Sequence, residues 1–389
     1  MKRAWHQDLW EGSEPHPQGK IPQERPQLVW EMRPKGGAQI RRVQMKVNGR
    51  PIPTHYDVET KSIIGKPQEP LPLGTLKAFC EAWFSTDKGV EMEWEFTRVP
   101  QPPPPPAPDF AQQETVAKLN QLRRAALLPD AKIQPALCHA AARHSRYLLV
   151  NRLSSTHEQQ PGKPEFFGKD HTERSEKSGY FGLSYEVIAS GESGPVAVQH
   201  LMDAPYHRSA LLQPGAFDVG AGLAGNRVTL LCALTDQQES LVYPADGQLN
   251  VAVRWDEVEI PDPLRLYPGV ERITGYPITL HVFGEEGSLT LLDASVTGPG
   301  NQPVACHLNS PENDDALDDT ILLMPKKPLL PLSTYQARIA VKTPMGREIT
   351  RTWQFTTGKA PTPKLFEISK PPSKPAPKTI PKPTPKKKK

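Results

Sequence analysis

The sequence predicts an α+β protein: a central segment of helices with a late strand, and a small β-sandwich on each side. Three observations lead there. Two stretches far apart in the chain share one β pattern. The stretch between them has helical periodicity followed by a short apolar strand. A run of five prolines, Pro102 to Pro106, stands between the first stretch and the second.

The chain has 389 residues, more than one ordinary core serves, so two or three domains are expected. Hydrophobic residues at 37% suffice for folded domains, whereas 45 prolines call for extended linkers and β-rich modules.

The outer stretches carry the repeat. Pro72-Leu73-Gly74-Thr75-Leu76 lies 22 residues before Trp94-Glu95-Phe96, and Pro331-Leu332-Ser333-Thr334-Tyr335 lies 22 residues before Trp353-Gln354-Phe355. In each, an extended segment is followed by a glycine turn (Asp87-Lys88-Gly89; Pro344-Met345-Gly346) and a strand ending in Trp-x-Phe. Tyr335, Ala337, Ile339 and Val341 alternate with polar residues, as a half-buried strand requires. Further strands are expected at 278–283 and 289–296.

In the middle, Asp109 is a candidate helix cap, followed by Val116, Leu119 and Leu122 at helical spacing. Leu137, Ala141, His144 and Leu148 mark a second helix, and Pro195 opens a third that ends near Asp203. Residues 227–234 form a strand-length apolar run. The expected organisation is a flexible segment 1–26, β-sandwich 27–100, polyproline linker 101–110, central domain 111–240, connector 241–261, β-sandwich 262–358 and a disordered Lys/Pro-rich tail 359–389.

The net charge of +4 is misleading until it is located. From Lys370 onward there are eight Lys and no acid, so residues 1–369 sum to −4. A mildly acidic body argues against nucleic-acid binding. Four scattered Cys (Cys80, Cys138, Cys232, Cys306) form neither a zinc ribbon nor a disulfide framework; a Cys138–Cys232 bridge and buried free thiols both fit. Residues 1–11 lack the apolar core of a signal peptide, and no run reaches the length of a membrane span.

Tempting motifs fail on context. Gly220-Ala221-Gly222-Leu223-Ala224-Gly225 spells GxGxxG but precedes a strand instead of opening a helix, so a glycine-rich turn is expected, not a dinucleotide site. The acidic run Glu312-Asn313-Asp314-Asp315 with Asp318-Asp319 lacks the central Gly and final Glu of an EF-hand and reads as a solvated loop. What remains is a spaced trio: His157, Glu186 and His207.

In order, Leu119-Asn120-Gln121-Leu122-Arg123, Ala142 to Leu148, His157, Gly179-Tyr180 through Gly191, Leu201 to Arg208 and Gly220-x-Gly222 resemble the bacterial CAP/SCP-like domain pattern (cysteine-rich secretory protein, antigen 5, pathogenesis-related 1). The outer stretches resemble bacterial Ig-like β modules. The resemblance implies that the central segment is an αβα-sandwich and that His157, Glu186 and His207 share a ligand-binding cleft. Two imidazoles and a carboxylate could also hold a divalent metal such as Zn²⁺ through His157 and His207. The sequence departs from the family at Tyr185 and Val187 around the Glu and at Leu201 in place of a Trp. A second cleft acid has no clear match, Asp203 being nearest. His139, His144, His171 and His200 read as surface or helix-face residues.

No nucleophile–base pair is legible, so no catalytic residue is assigned. The resemblance implies a non-enzymatic, multi-domain binding protein of the cell envelope or exterior, taking a small or lipid-like ligand. The Lys/Pro tail could meet an anionic wall polymer or membrane surface. The alternatives are a metal-assisted hydrolase using His157, His207 and Glu186, and a purely structural adhesin.

Overall fold

The computed structural model describes residues 9–85, 88–235, 237–256 and 259–359. The Lys/Pro tail from residue 360 and Asp87 of the first glycine turn lie outside these.

The first β unit holds β1 (Trp10–Glu11), β2 (Gly19–Ile21), β3 (Leu28–Glu31), β4 (Arg33–Pro34), β5 (Ile40–Val47), β6 (Arg50–Ile52), β7 (Thr54–Asp57), β8 (Ser62–Gly65), β9 (Gly74–Phe84) and β10 (Gly89–Arg98). A five-stranded sheet runs β2-β10-β9-β5-β6, beside a three-stranded sheet β3-β8-β7. Alternation along β9 turns Leu76, Ala78, Cys80, Ala82 and Phe84 onto a core that includes Trp30, Met32 and Met45. β1 and β2 fall in the stretch 1–26, which was expected to be flexible. A three-residue strand pairing parallel at a sheet edge leaves no alternation to read.

The central segment contains α1 (Phe110–Ala125), β11 (Lys132–Ile133), α2 (Pro135–Val150), α3 (His171–Ser178), β12 (Ser184–Ser190), α4 (Gly194–Asp203), α5 (Arg208–Leu211), β13 (Asp218–Ala224) and β14 (Arg227–Ala233). Asp109 caps α1 in a reciprocal capping box with Gln112. The sheet order is β11-β13-β14-β12. β14 is covered on both faces. Val228, Leu230 and Cys232 join the side packed by α1 and α4, whereas Leu231 meets Leu137, Ala140 and Ala141 of α2.

The expected glycine turn at 220–225 is instead mostly strand β13. A Cβ on Gly220 would lie 2.1 Å from the Leu137 carbonyl carbon, and one on Gly222 would lie 2.0 Å from that of Ala141. The glycines let the backbone of α2 rest directly on the sheet. The polar contact between the two elements is Ser145 Oγ, which donates to Gly222 O at 2.9 Å.

The last β unit holds β15 (Glu239–Tyr243), β16 (Gln248–Val251), β17 (Ile278–Phe283), β18 (Thr290–Gly298), β19 (Gln302–Pro303), β20 (Cys306–Asn309), β21 (Thr320–Pro325), β22 (Thr334–Lys342) and β23 (Glu348–Thr357). Its sheets are β15-β17-β21-β20 and β16-β23-β22-β18-β19. The second sheet repeats the first unit's order and directions: a parallel edge pair, a long hairpin, then two antiparallel neighbours. The 22-residue spacing of the sequence is this hairpin. β15 and β16 come from the stretch 241–261 and its border, expected to be only a connector, and supply one edge to each sheet.

The first β unit has its own core, but a single apolar cluster runs from Val116 in α1 to Phe355 in β23. All four Cys are free, so Cys138 and Cys232 are not bridged. Among the described residues no helix is long and apolar enough to cross a membrane.

Candidate functional site

Glu186 sits mid-strand in β12 with its side chain 1% exposed. A carboxylate so buried needs compensation. Arg174, in α3, donates Nη2 to Glu186 Oε2 at 2.6 Å, and His157 Nδ1 lies 3.0 Å from Oε1. Burial would raise the Glu186 pKa, but the His157 hydrogen bond and the charge and hydrogen bond of Arg174 outweigh it and hold the group below its ordinary value. Arg174 also donates to the carbonyls of His157 and Gly168, so it fixes the loop that carries His157.

His144, expected as a surface or helix-face residue, lies on the inner face of α2 and is fully buried behind this pair. Its Nε2 lies 2.8 Å from Thr156 O and its Nδ1 lies 3.0 Å from Gln159 Nε2. One donor and one acceptor satisfy a neutral ring with its proton on Nε2. Burial pushes its pKa down to about 4.

His207 is not bonded to this cluster. Its Nδ1 lies 2.9 Å from Oε1 of Glu259, which also accepts from the backbone N–H groups of Tyr206 (2.8 Å) and His207 (3.2 Å). Glu259 comes from the chain beyond the central sheet, 52 residues away. Its side chain is 0% exposed and its Oε2 has no hydrogen-bond partner. Asp203, the acid expected nearest the cleft, instead accepts from Tyr276 Oη at 2.6 Å and from Gln199.

His157 and His207 nevertheless face one cleft of about 550 Å³, lined also by Ser155, Ser190, His200 and Glu259. Glu186 lines a neighbouring groove that His207 shares. The trio is therefore divided: His157 with Glu186, and His207 with Glu259. The expected metal pair fares no better. Each imidazole faces a different carboxylate through Nδ1, and Glu186 is already matched by Arg174. Among the described residues no group of three or more His, Cys, Asp and Glu is placed to hold a metal ion. The residues do not fit a resident Zn²⁺.

Arg174, Gln159 and Glu259 were missed. Arg174 lies in His-Thr-Glu-Arg-Ser-Glu-Lys-Ser, which reads as a solvated helix until α3 is laid over β12. Glu259 has no spacing relation to His207 at all.

Residues 116–233 match the family model described as the Cysteine-rich secretory protein family, CAP. This segment is a CAP domain. The chain is also similar to an outer surface protein from Borrelia burgdorferi, at 22% identity over 31% of this chain and 90% of that one, TM-score 0.27. An extracellular protein containing an SCP domain from Bacillus anthracis is 17% identical over 54% of this chain and 82% of that one, TM-score 0.28. No curated protein matches the chain. The CAP domain is thus set between two β units.

Proposed function

We propose that the chain is a non-enzymatic binding protein of the bacterial cell envelope or exterior, in which Ig-like β modules position the CAP domain and its cleft takes a small polar ligand. The observation that carries this reading is the state of Glu186: a carboxylate buried against Arg174 and held ionised is a structural anion, not a general base. The thiols argue the same way, since burial pushes Cys138 up to about 11 and Cys232 up to about 12, away from the nucleophilic thiolate.

The lining favours a polar ligand over an acyl chain. Ser154, Ser155, Ser190 and three imidazoles offer hydrogen bonds, Asp256 and Glu259 supply negative charge, and among the described residues no Lys or Arg lines the cleft. A neutral or cationic molecule rich in donors fits this chemistry, and an anionic headgroup does not.

Glucosamine, with hydroxyls and an ammonium, is a suitable probe. Saturation-transfer NMR on the full chain with about 10 mM glucosamine should give transfer that falls at least about tenfold in His157→Ala and His207→Ala. No transfer, or transfer indifferent to both changes, contradicts the reading.

A further inference from the structure

His207 and Ile260 line two adjoining grooves: the cleft above, and a second of about 540 Å³ between β12 and the last β unit. Among the described residues these are together lined by six carboxylates (Glu186, Asp256, Glu259, Glu285, Asp318, Asp319) and by no Lys or Arg. Three are matched from behind. Glu186 pairs with Arg174, Asp256 with Arg254 at 3.0 Å, and Glu285 with Arg347 at 2.6 Å. Glu259, Asp318 and Asp319 have no Lys or Arg partner among the described residues.

The second oxygens of Glu259 and Glu285 are buried with no hydrogen-bond partner, on side chains 0% and 3% exposed. A desolvated carboxylate oxygen without a donor is costly, and a cationic donor offsets that cost. Burial, and to a lesser extent the neighbouring charge of Asp318, raises the pKa of Asp319.

The chain carries such a donor. Between Lys370 and Lys389 it has eight Lys and no acid. The root of this segment is fixed close by, for Gly358 N donates to Val251 O at 2.8 Å. Glu259 is eight residues past Val251, hence at most about 29 Å from it. The 11 residues from Lys359 to Lys370 reach about 34 Å at about 3.1 Å per residue, so every later Lys is within range.

We propose that the Lys-rich segment 370–389 docks in these paired grooves and competes with ligand for the cleft. The competition rests on the binding function proposed above; the docking does not.

Zero-length carbodiimide coupling of Lys to carboxylate in the full chain, read by mass spectrometry, tests the docking without any ligand. Lys20 and Glu176, 2.6 Å apart, form a built-in control. The expected result is coupling of Lys370–Lys389 to Asp318, Asp319 or Glu285 in the monomer, falling at least about fivefold between about 50 and 500 mM salt. In Asp318→Asn/Asp319→Asn, coupling to the remaining groove acids should fall while Lys20–Glu176 coupling persists. The proposal is overturned if the control forms but the tail couples evenly to acids elsewhere, such as Glu91 and Glu93. It is likewise overturned if tail coupling appears only in cross-linked dimers, or if the tail couples to no groove acid while the chain sediments with phosphatidylglycerol vesicles. If docking holds but glucosamine does not bind, the binding function fails and the docking stands.

Discussion

Arg174 decides whether Glu186 can be buried at all. Arg174→Met removes the cation and leaves an ionised carboxylate in a buried site, which should cost about 3–5 kcal/mol in urea unfolding. A loss under about 1 kcal/mol would mean that His157 and His144 suffice. The same cluster sets an acid response. Unfolded, His144 takes a proton near its ordinary value of 6.5; folded, it stays neutral down to about 4. The unfolded state therefore binds more protons in that window, and stability falls as pH drops from about 6.5 to about 4, by up to about 3 kcal/mol. Glu186 acts lower down: its folded pKa is depressed, so its contribution is intact above its ordinary value of 4.5 and is lost as pH falls through its folded one. His144→Asn should flatten the upper part of a plot of urea midpoint against pH, though not wholly, because buried His281, pushed down to about 3, adds a slope of the same sign.

At the scale of elements, the glycines of β13 join α2 to the sheet. Gly222→Ala puts a methyl into the backbone of Ala141 and Ala142, and should cost at least about 2 kcal/mol by separating helix from strand. A melting temperature unchanged within a degree would refute close packing as their role. These residues also mark what the sequence disclosed. The helices of the CAP domain were legible because Val116, Leu119, Leu137 and Leu148 fall at helical spacing and Asp109 is a strong cap. The long hairpins were legible because Trp-x-Phe recurs at one spacing. The edge strands β2 and β16 were not, since parallel pairing of three or four residues depends on a partner distant in the chain. GxGxxG misled because a glycine needed for φ freedom and one needed for close approach look alike in a sequence. His157 and Glu186 could be paired through the family pattern; Glu259 could not, because only the folding of the later segment against α5 brings it to His207.

Across the whole molecule, the CAP domain and the last β unit behave as one body. Arg208, fully buried, donates to Met202 O in its own domain and to Pro277 O at 2.9 Å in the other, with its guanidinium over the rings of Tyr243 (4.7 Å) and Tyr276 (5.3 Å). Tyr206 Oη meets Asp314 Oδ2 at 2.5 Å, and Arg265 pairs with the same carboxylate. The acidic run expected to be a solvated loop is thus partly an anchor, with Asp314 only 1% exposed. Arg208→Met should destabilise both units together, giving one broadened calorimetric transition at lower temperature; loss confined to the CAP domain would disprove the coupling. The first β unit has a separate core and meets the CAP domain through Lys20–Glu176, an exposed pair worth about 1 kcal/mol or less.

We propose that the CAP cleft is a binding site completed by Glu259, an acid from outside the CAP domain. The affinity of the full chain for glucosamine, compared between the native sequence and Glu259→Gln, tests it most directly. About tenfold weaker binding with an unchanged melting profile is expected, because amide for carboxylate keeps the acceptor for His207 but removes a charge that lines the cleft. Equal affinity in the two proteins would contradict it.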